Sequence, residues 1–329
     1  MPVSVPLLLV LALVLAAEFV NGWNDATNAI ATVVSTRVLS PARAILMAVL
    51  FNILGTMSGT AVATTIGKGI ISLELINLTT ISAALIAIVL WGGPASYFGL
   101  PISVTHALLG GLAGAGIATA GLPALQWEGW RKVLMGLAFS TFLGFFGGLA
   151  LMVLIYRLCA RVSPGTIRKV FGKLQVLSAG FMAFSHGSND GQKFIGVFSL
   201  VLLLGGVHQT FHVPVWVMLL CAVTMGAGTS IGGRSLIKTM GMRITKLESV
   251  HGFAAETAAA TTIEVASRLG IPLSTTHTIA TAIMGVGATR RFSAVRWGVT
   301  RDIVLAWVLT FPVCGLIAWL VTRLALAFR

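Results

Sequence analysis

Gly22-Trp23-Asn24-Asp25 interrupts an otherwise apolar stretch near the start of the chain, and Gly187-Ser188-Asn189-Asp190 repeats the pattern in the second half. Each is followed by a second polar string: Pro101-Ile102-Ser103-Val104-Thr105-His106 after the first, Pro272-Leu273-Ser274-Thr275-Thr276-His277 after the other. Ionisable side chains at membrane depth are costly and mark solute or ion paths. Two copies of one polar program in one order point to a transporter built from an internal repeat.

The surrounding composition fixes the solvent. Of 329 residues, 57% are hydrophobic and only 9% charged, with a mean hydropathy of +0.96. This predicts an all-α, polytopic integral membrane protein. The segment from Val3 to Phe19 has no basic leader and no small-residue cleavage site, so it reads as a first transmembrane helix rather than a signal peptide. Cys159, Cys221 and Cys314 are odd in number and far apart, which implies neither a disulfide frame nor a metal site.

A net charge of +13 invites a nucleic-acid reading, but no continuous basic helix or aromatic–basic platform is present, and nucleic acid is not an expected partner. The basic residues collect in short segments: Arg37 and Arg43; Arg157 to Lys173; Arg234 to Lys246; Arg290 to Arg301. Such segments belong on the cytoplasmic side.

Following the chain with that rule gives crossings at Val3 to Thr36, Ala42 to Ile66 and Val133 to Tyr156. Helical pairs fall at Thr79–Phe98 with Pro101–Thr119 and at Val250–Leu269 with Pro272–Ala288, and the second half contributes Leu174–Gly206 and Val213–Ile231. Loop charges swap sides between the copies, as an inverted-topology repeat demands. The expected organisation is a first inverted repeat at 1–156, a basic cytoplasmic linker at 157–173 and a second inverted repeat at 174–329. Each repeat is expected to hold a broken helix and a helical pair interrupted at Gly99 to Pro101 or Gly270 to Pro272, where irregular backbone can line a polar cavity. Charge counting leaves open whether a pair spans twice or is a re-entrant hairpin.

Pro101 and Pro272 are expected to open half-helices, since the first helical turn has no use for a proline's missing N–H. The freed amides and the positive dipole end favour an anion. Ser103, Thr105, Ser274, Thr275 and Thr276 add hydroxyl donors, so two facing helix ends would clamp a small oxyanion. Asp25 and Asp190 would repel that anion by several kcal/mol unless a cation neutralises them. The site therefore predicts coupling to Na⁺ or H⁺, with Asn24, Asp25, Asn189 and Asp190 as hard oxygen ligands, Asp25 and Asp190 binding Na⁺ directly if that is the ion. No other cofactor is implied.

Lys193, three residues past Asp190, shares its helix face and is placed to pair with it or to touch substrate. Gln192 and Lys193 match Thr27 and Asn28 by position, and Thr27, Asn28, His106, His277 and Glu256, the last in an apolar stretch, are supporting candidates. The alternatives are an intramembrane aspartyl protease, disfavoured by the absence of a Gly-x-Gly-Asp string, and a passive anion channel, which leaves the aspartates unexplained.

These paired strings, with Ser185-His186-Gly187-Ser188-Asn189-Asp190-Gly191-Gln192-Lys193, resemble the inorganic phosphate transporter family over nearly the whole chain, from Glu18 to Ala288. The resemblance implies re-entrant helical hairpins in a homodimer of the inner (plasma) membrane that carries phosphate inward by symport with Na⁺ or H⁺ through alternating access. It implies Asn24, Asp25, Asn189 and Asp190 at the cation sites and Ser103, Thr105, Ser274, Thr275, Thr276 and Gln192 at phosphate. The compact linker resembles bacterial or archaeal forms. The first string departs from the second in having Val104 opposite Thr275, and sulfate or a related oxyanion remains the alternative substrate.

Overall fold

The computed structural model describes residues 4–231 and 234–328, with the side chains of 234 and 235 left aside. Val3, the chain ends at 1 and 329, and the Arg234 side chain, named in the expectations above, lie outside the described residues. The helices are α1 (Val5–Ser35), α2 (Pro41–Thr56), α3 (Ala61–Gly69), α4 (Leu78–Phe98), α5 (Val104–Ala120), α6 (Trp127–Leu158), α7 (Pro164–His186), α8 (Gln192–Leu204), α9 (Val215–Ile231), α10 (Arg234–Lys238), α11 (Ser249–Arg268), α12 (Thr275–Ala288) and α13 (Trp297–Ala327). A π-helical turn, Gly187–Gly191, joins α7 to α8. Among the described residues the only β pairing is an isolated bridge between Ile71 and Leu125.

The protein is an all-helical integral membrane protein. Four helices, α1, α4, α6 and α13, are long and apolar enough to cross a bilayer, and α2 with α3 reaches that length and apolarity only as a pair bent by 66°. At 17 and 14 residues, α5 and α12 fall short of the roughly 20 needed to span. The segmentation read from the sequence stops at Ala288, and α13 extends it.

Two local expectations need correction. The Asn24–Asp25 pair sits inside the uninterrupted 31-residue α1, because Gly22 alone does not break a helix that starts with a Ser4 cap and an early proline. The break falls in the second half, where Gly187 and Gly191 bracket one π turn, a geometry common at functional sites. The 157–173 segment is largely helical: Ser163 caps α7, accepting from the Thr166 amide at 3.3 Å, and Pro164 follows at the position a helix start favours.

The two halves exchange helices. α5 packs on α13 and α12 on α6; α1 packs on α9 and α7 on α2; α3 lies on α8. Glycines make these approaches possible. A Cβ on Gly22 would overlap the Met225 carbonyl, and one on Gly228 the Phe19 carbonyl; across the counterpart pair, Gly55 meets Phe184 and Gly187 meets Asn52 in the same way. Such backbone-to-backbone contact is how helices associate where apolar burial gives no drive.

Two apolar cores result. One gathers Leu7, Val10, Val14 and Ala17 of α1 with α3, α4, α5 and α8; the other gathers Ala29, Ile30, Ala31 and Val33 of α1 with α7, α11 and α12. Between them, on α1, lies a buried polar layer that includes Glu18, Asn21, Asn24, Asp25, Thr27 and Asn28. Gly22→Ala is expected to cost at least about 2 kcal/mol by forcing α1 and α9 apart. Gly93→Ala, whose Cβ would meet nothing within 4 Å, is expected to leave the melting temperature in detergent nearly unchanged.

Candidate functional site

α5 and α12 begin at the centre of the molecule with one local design. Ser103 and Ser274 are the N-caps, each accepting from the backbone amide of its own His106 or His277 at 3.2 Å. The prolines therefore do not open the helices. Pro101 and Pro272 sit two residues ahead of the caps, in the strand-like lead-in where a missing N–H is equally harmless. The two caps also meet, the Ser103 hydroxyl donating to Ser274 Oγ at 3.0 Å. Two positive helix ends, with their unbonded first-turn amides, are thus held tip to tip.

Against these tips stand the acids. Thr276 donates to Asp25 Oδ1 at 3.1 Å, and Thr275 donates to Asp190 Oδ2 at 2.8 Å. Asn28 Nδ2 donates to Thr276 Oγ1 at 3.0 Å. Lys193 lies within the protein at 2% exposure. Its ammonium donates to Asp190 Oδ1, to Thr105 Oγ1 at 2.6 Å and to the Leu273 carbonyl at 2.8 Å, which uses all three of its protons. Thr105 in turn donates to the Leu273 carbonyl at 3.0 Å. One lysine thus bonds α8, the tip of α5 and the lead-in of α12.

Asn24 and Asn189 play matching parts. Asn24 Nδ2 donates to Ser96 Oγ at 3.0 Å and the Leu100 carbonyl at 3.4 Å; Asn189 Nδ2 donates to Ser267 Oγ at 3.0 Å and the Ile271 carbonyl at 3.3 Å. Each clips the turn of one hairpin to the polar layer. Asn24 Oδ1 and Asn28 Oδ1 are buried with no hydrogen-bond partner. Oxygens so placed are costly unless something binds them.

Asp25, His186 and Asp190 have ligand atoms within 4.8 Å of one another, all buried. His186 Nδ1 lies 3.0 Å from Asn52 Oδ1, and its Nε2 is 3.4 Å from Asp190 Oδ2. The two aspartates thus bring hard carboxylate oxygens together in a buried cluster. With both carboxylates ionised, Asp25 and Asp190 outnumber the one ammonium, Lys193, at the pair of tips.

Other expected residues lie farther out. Thr27 donates to the Asn24 carbonyl of its own helix at 3.4 Å. Gln192 accepts from the Val62 amide at 3.0 Å, tying α8 to the start of α3. His106 and His277 stack behind the tips with ring centroids 4.8 Å apart, and His277 lies flat on Trp307 at 3.9 Å. Glu256 is bonded apart from the aspartates, by Thr32, by Gln175 at 3.2 Å and by Ser178. Ser96 and Ser267 escaped the sequence reading, although they precede Pro101 and Pro272 at the same offset.

The sequence model of the Phosphate transporter family matches residues 21–318. The chain belongs to the phosphate transporter family. It is 43% identical over 258 residues, 78% of this chain and 77% of the relative, to a protein of Rhizobium meliloti (strain 1021) named "Probable low-affinity inorganic phosphate transporter". A Bacillus subtilis (strain 168) protein of the same name is 37% identical over 269 residues, covering 80% and 81% of the two chains. A solved structure named "The sodium-dependent phosphate transporter" superposes with a TM-score of 0.91 at 25% identity, covering 99% of this chain and all of the other. Family and fold are those of transporters, not enzymes, and the protease reading of Asp25 and Asp190 falls with them.

Lys193→Met is expected to destabilise the phosphate transporter family fold here by about 3–5 kcal/mol, because it leaves Asp190 buried and unpaired. The double variant Asp190→Asn with Lys193→Met recovers much of that loss. Melting curves of the three variants in Na⁺-free detergent buffer check the cycle.

Proposed function

We propose that this member of the phosphate transporter family is a secondary active transporter of the inner (plasma) membrane, importing inorganic phosphate by symport with Na⁺ through alternating access. The reading rests on one observation. Two Ser-capped helix ends meet at a centre where two buried aspartates outnumber one lysine.

Amides, dipoles and hydroxyls at the tips of α5 and α12 suit a tetrahedral oxyanion. The residual negative charge opposes it until a cation binds, which makes binding of the two solutes interdependent. A proton would need only one carboxylate. The neighbourhood offers more, since Asn28 shares Thr276 with Asp25 and the Oδ1 atoms of Asn24 and Asn28 are unpartnered, and Na⁺ takes several hard oxygens at once. The likeness to a sodium-dependent phosphate transporter supports the same ion.

The exchange of helices supports inverted-topology repeats, 1–156 and 174–329 around the 157–173 linker, with α4–α5 and α11–α12 as re-entrant hairpins. In that arrangement the α5 and α12 tips reach the midplane from opposite faces. Ser103, Thr105, Ser274, Thr275 and Thr276 then hold phosphate, and Lys193 either joins them or releases Thr105 to do so. Rocking of one repeat against the other would open the joint at the tips to each side in turn.

Labelled phosphate uptake into proteoliposomes tests the reading, with an imposed Na⁺ gradient, an imposed pH gradient, or neither, and excess cold sulfate as competitor. Uptake should follow the Na⁺ gradient, resist sulfate and fall about 10–100-fold in Asp25→Asn and in Asp190→Asn. Uptake that follows only the pH gradient would replace Na⁺ by H⁺. Labelled sulfate accumulating in place of phosphate would sink the substrate assignment.

A further inference from the structure

A cavity of about 910 Å³ opens at the C-terminal end of α1, away from the tips of α5 and α12. Its wall carries five basic side chains, Arg37, Arg168, Lys246, Arg290 and Arg296, and one acid, Glu248. Glu248 is taken by Arg290, whose Nη2 lies 2.8 Å from it. Among the described residues the other four cations have no ion-pair partner, so the cavity presents a strongly positive interior.

The backbone singles out one of them. Arg37 has φ 62°, the only described non-glycine residue in the left-handed region. It sits just past the end of α1, with its amide on the Val34 carbonyl at 3.0 Å and the Val38 amide on the Val33 carbonyl at 3.1 Å. Glycine is the usual occupant of such a helix-terminating position. A side chain kept there against its conformational preference is held at the cavity wall by a rigid turn, and strain of this kind gathers at ligand clamps.

A line of polar side chains runs from the centre toward this cavity. Asn28, bonded to Thr275 and Thr276, is followed at one-turn intervals on α1 by Thr32, bonded to Glu256, and by Thr36, bonded to Gln175 at 2.9 Å. Thr36 lines the cavity. The track covers about 12 Å along the helix axis, and its basic end is the one that short basic segments place in the cytoplasm.

We propose that the cavity is a second, weaker phosphate station at the cytoplasmic end of the route, where Arg37, Arg168, Lys246 and Arg296 hold the anion as it leaves the tips of α5 and α12. This assignment rests on the phosphate reading of the centre. Ion pairs at the station are water-exposed, so its hold on phosphate is screened by salt. The centre is buried and tied to Na⁺ instead.

Equilibrium dialysis of radiolabelled phosphate against the purified full chain in neutral detergent separates the two. The unaltered protein should bind two equivalents, one requiring Na⁺ and a weaker one indifferent to Na⁺ but lost at high salt. The triple variant R37G/K246Q/R296Q should weaken the second by about tenfold or more and leave the first unchanged. Glycine suits the left-handed turn and the other two side chains are on the surface, so folding is preserved; R37K/K246R/R296K should restore the second equivalent.

A single, Na⁺-dependent equivalent in the unaltered protein would overturn the station while the central reading stands, and so would a second equivalent that survives the triple variant. Displacement of the second equivalent by phosphatidylglycerol added to the micelles at low salt, with none by phosphatidylcholine, would make the occupant a lipid headgroup and overturn the free-phosphate assignment. A salt-sensitive equivalent alone, with no Na⁺-dependent one, would uphold the cavity and sink the central reading.

Discussion

Two carboxylates and one ammonium, all at 2% exposure or less, are packed against two helix ends. Everything around them follows from the cost of that arrangement. Removing an ion from water costs several kcal/mol even after relaxation. Here the cost is offset by donors that the fold delivers from separate elements: Thr275 and Thr276 from α12, Thr105 from α5 and Lys193 from α8. With both carboxylates ionised, one negative charge exceeds the lysine's, and in the proposed reading that excess is what a coupling cation answers.

Holding such donors in place requires stiff neighbours. The clips from Asn24 to Ser96 and from Asn189 to Ser267 fix the two hairpin turns, and the glycine contacts between α1 and α9 and between α2 and α7 let backbones touch on either side of the polar layer. Because the halves exchange helices, neither hairpin is anchored only within its own half. The joint between the Ser103 and Ser274 caps is a contact between halves, so relative movement of the halves acts on that joint directly.

Much of this was legible in the sequence because the polar strings are duplicated. Repetition identified Asn24, Asp25, Asn189, Asp190 and the Ser/Thr tips without structural help, and the pairs around Phe98 to Pro101 and Leu269 to Pro272 fell within a few residues of their helices. What failed was local. A broken helix was expected around Asn24-Asp25, but α1 runs through and Gly22 serves close packing; Pro101 and Pro272 looked like first-turn residues, yet the following serines are the caps. Gln192 shares the motif of the aspartates, but its side chain accepts from the Val62 amide at the start of α3, a partner far away in the chain. The exchange of α5 and α12 between α13 and α6 leaves no trace in composition or spacing, since small residues along both faces are equally compatible with packing inside one half. Lys193 carried two readings in the sequence, and the one that places it on Asp190 required the fold.

The central claim is that the uncompensated charge at Asp25 and Asp190 ties phosphate binding to cation binding. Calorimetric titration of the purified protein measures it directly, with Na⁺ added in the presence and absence of phosphate and phosphate added in the presence and absence of Na⁺. The account predicts that each solute raises the affinity of the other by the same factor, as linkage requires, and that the factor collapses toward one in Asp25→Asn. Phosphate binding that is equally strong with and without Na⁺ and at every pH would contradict it.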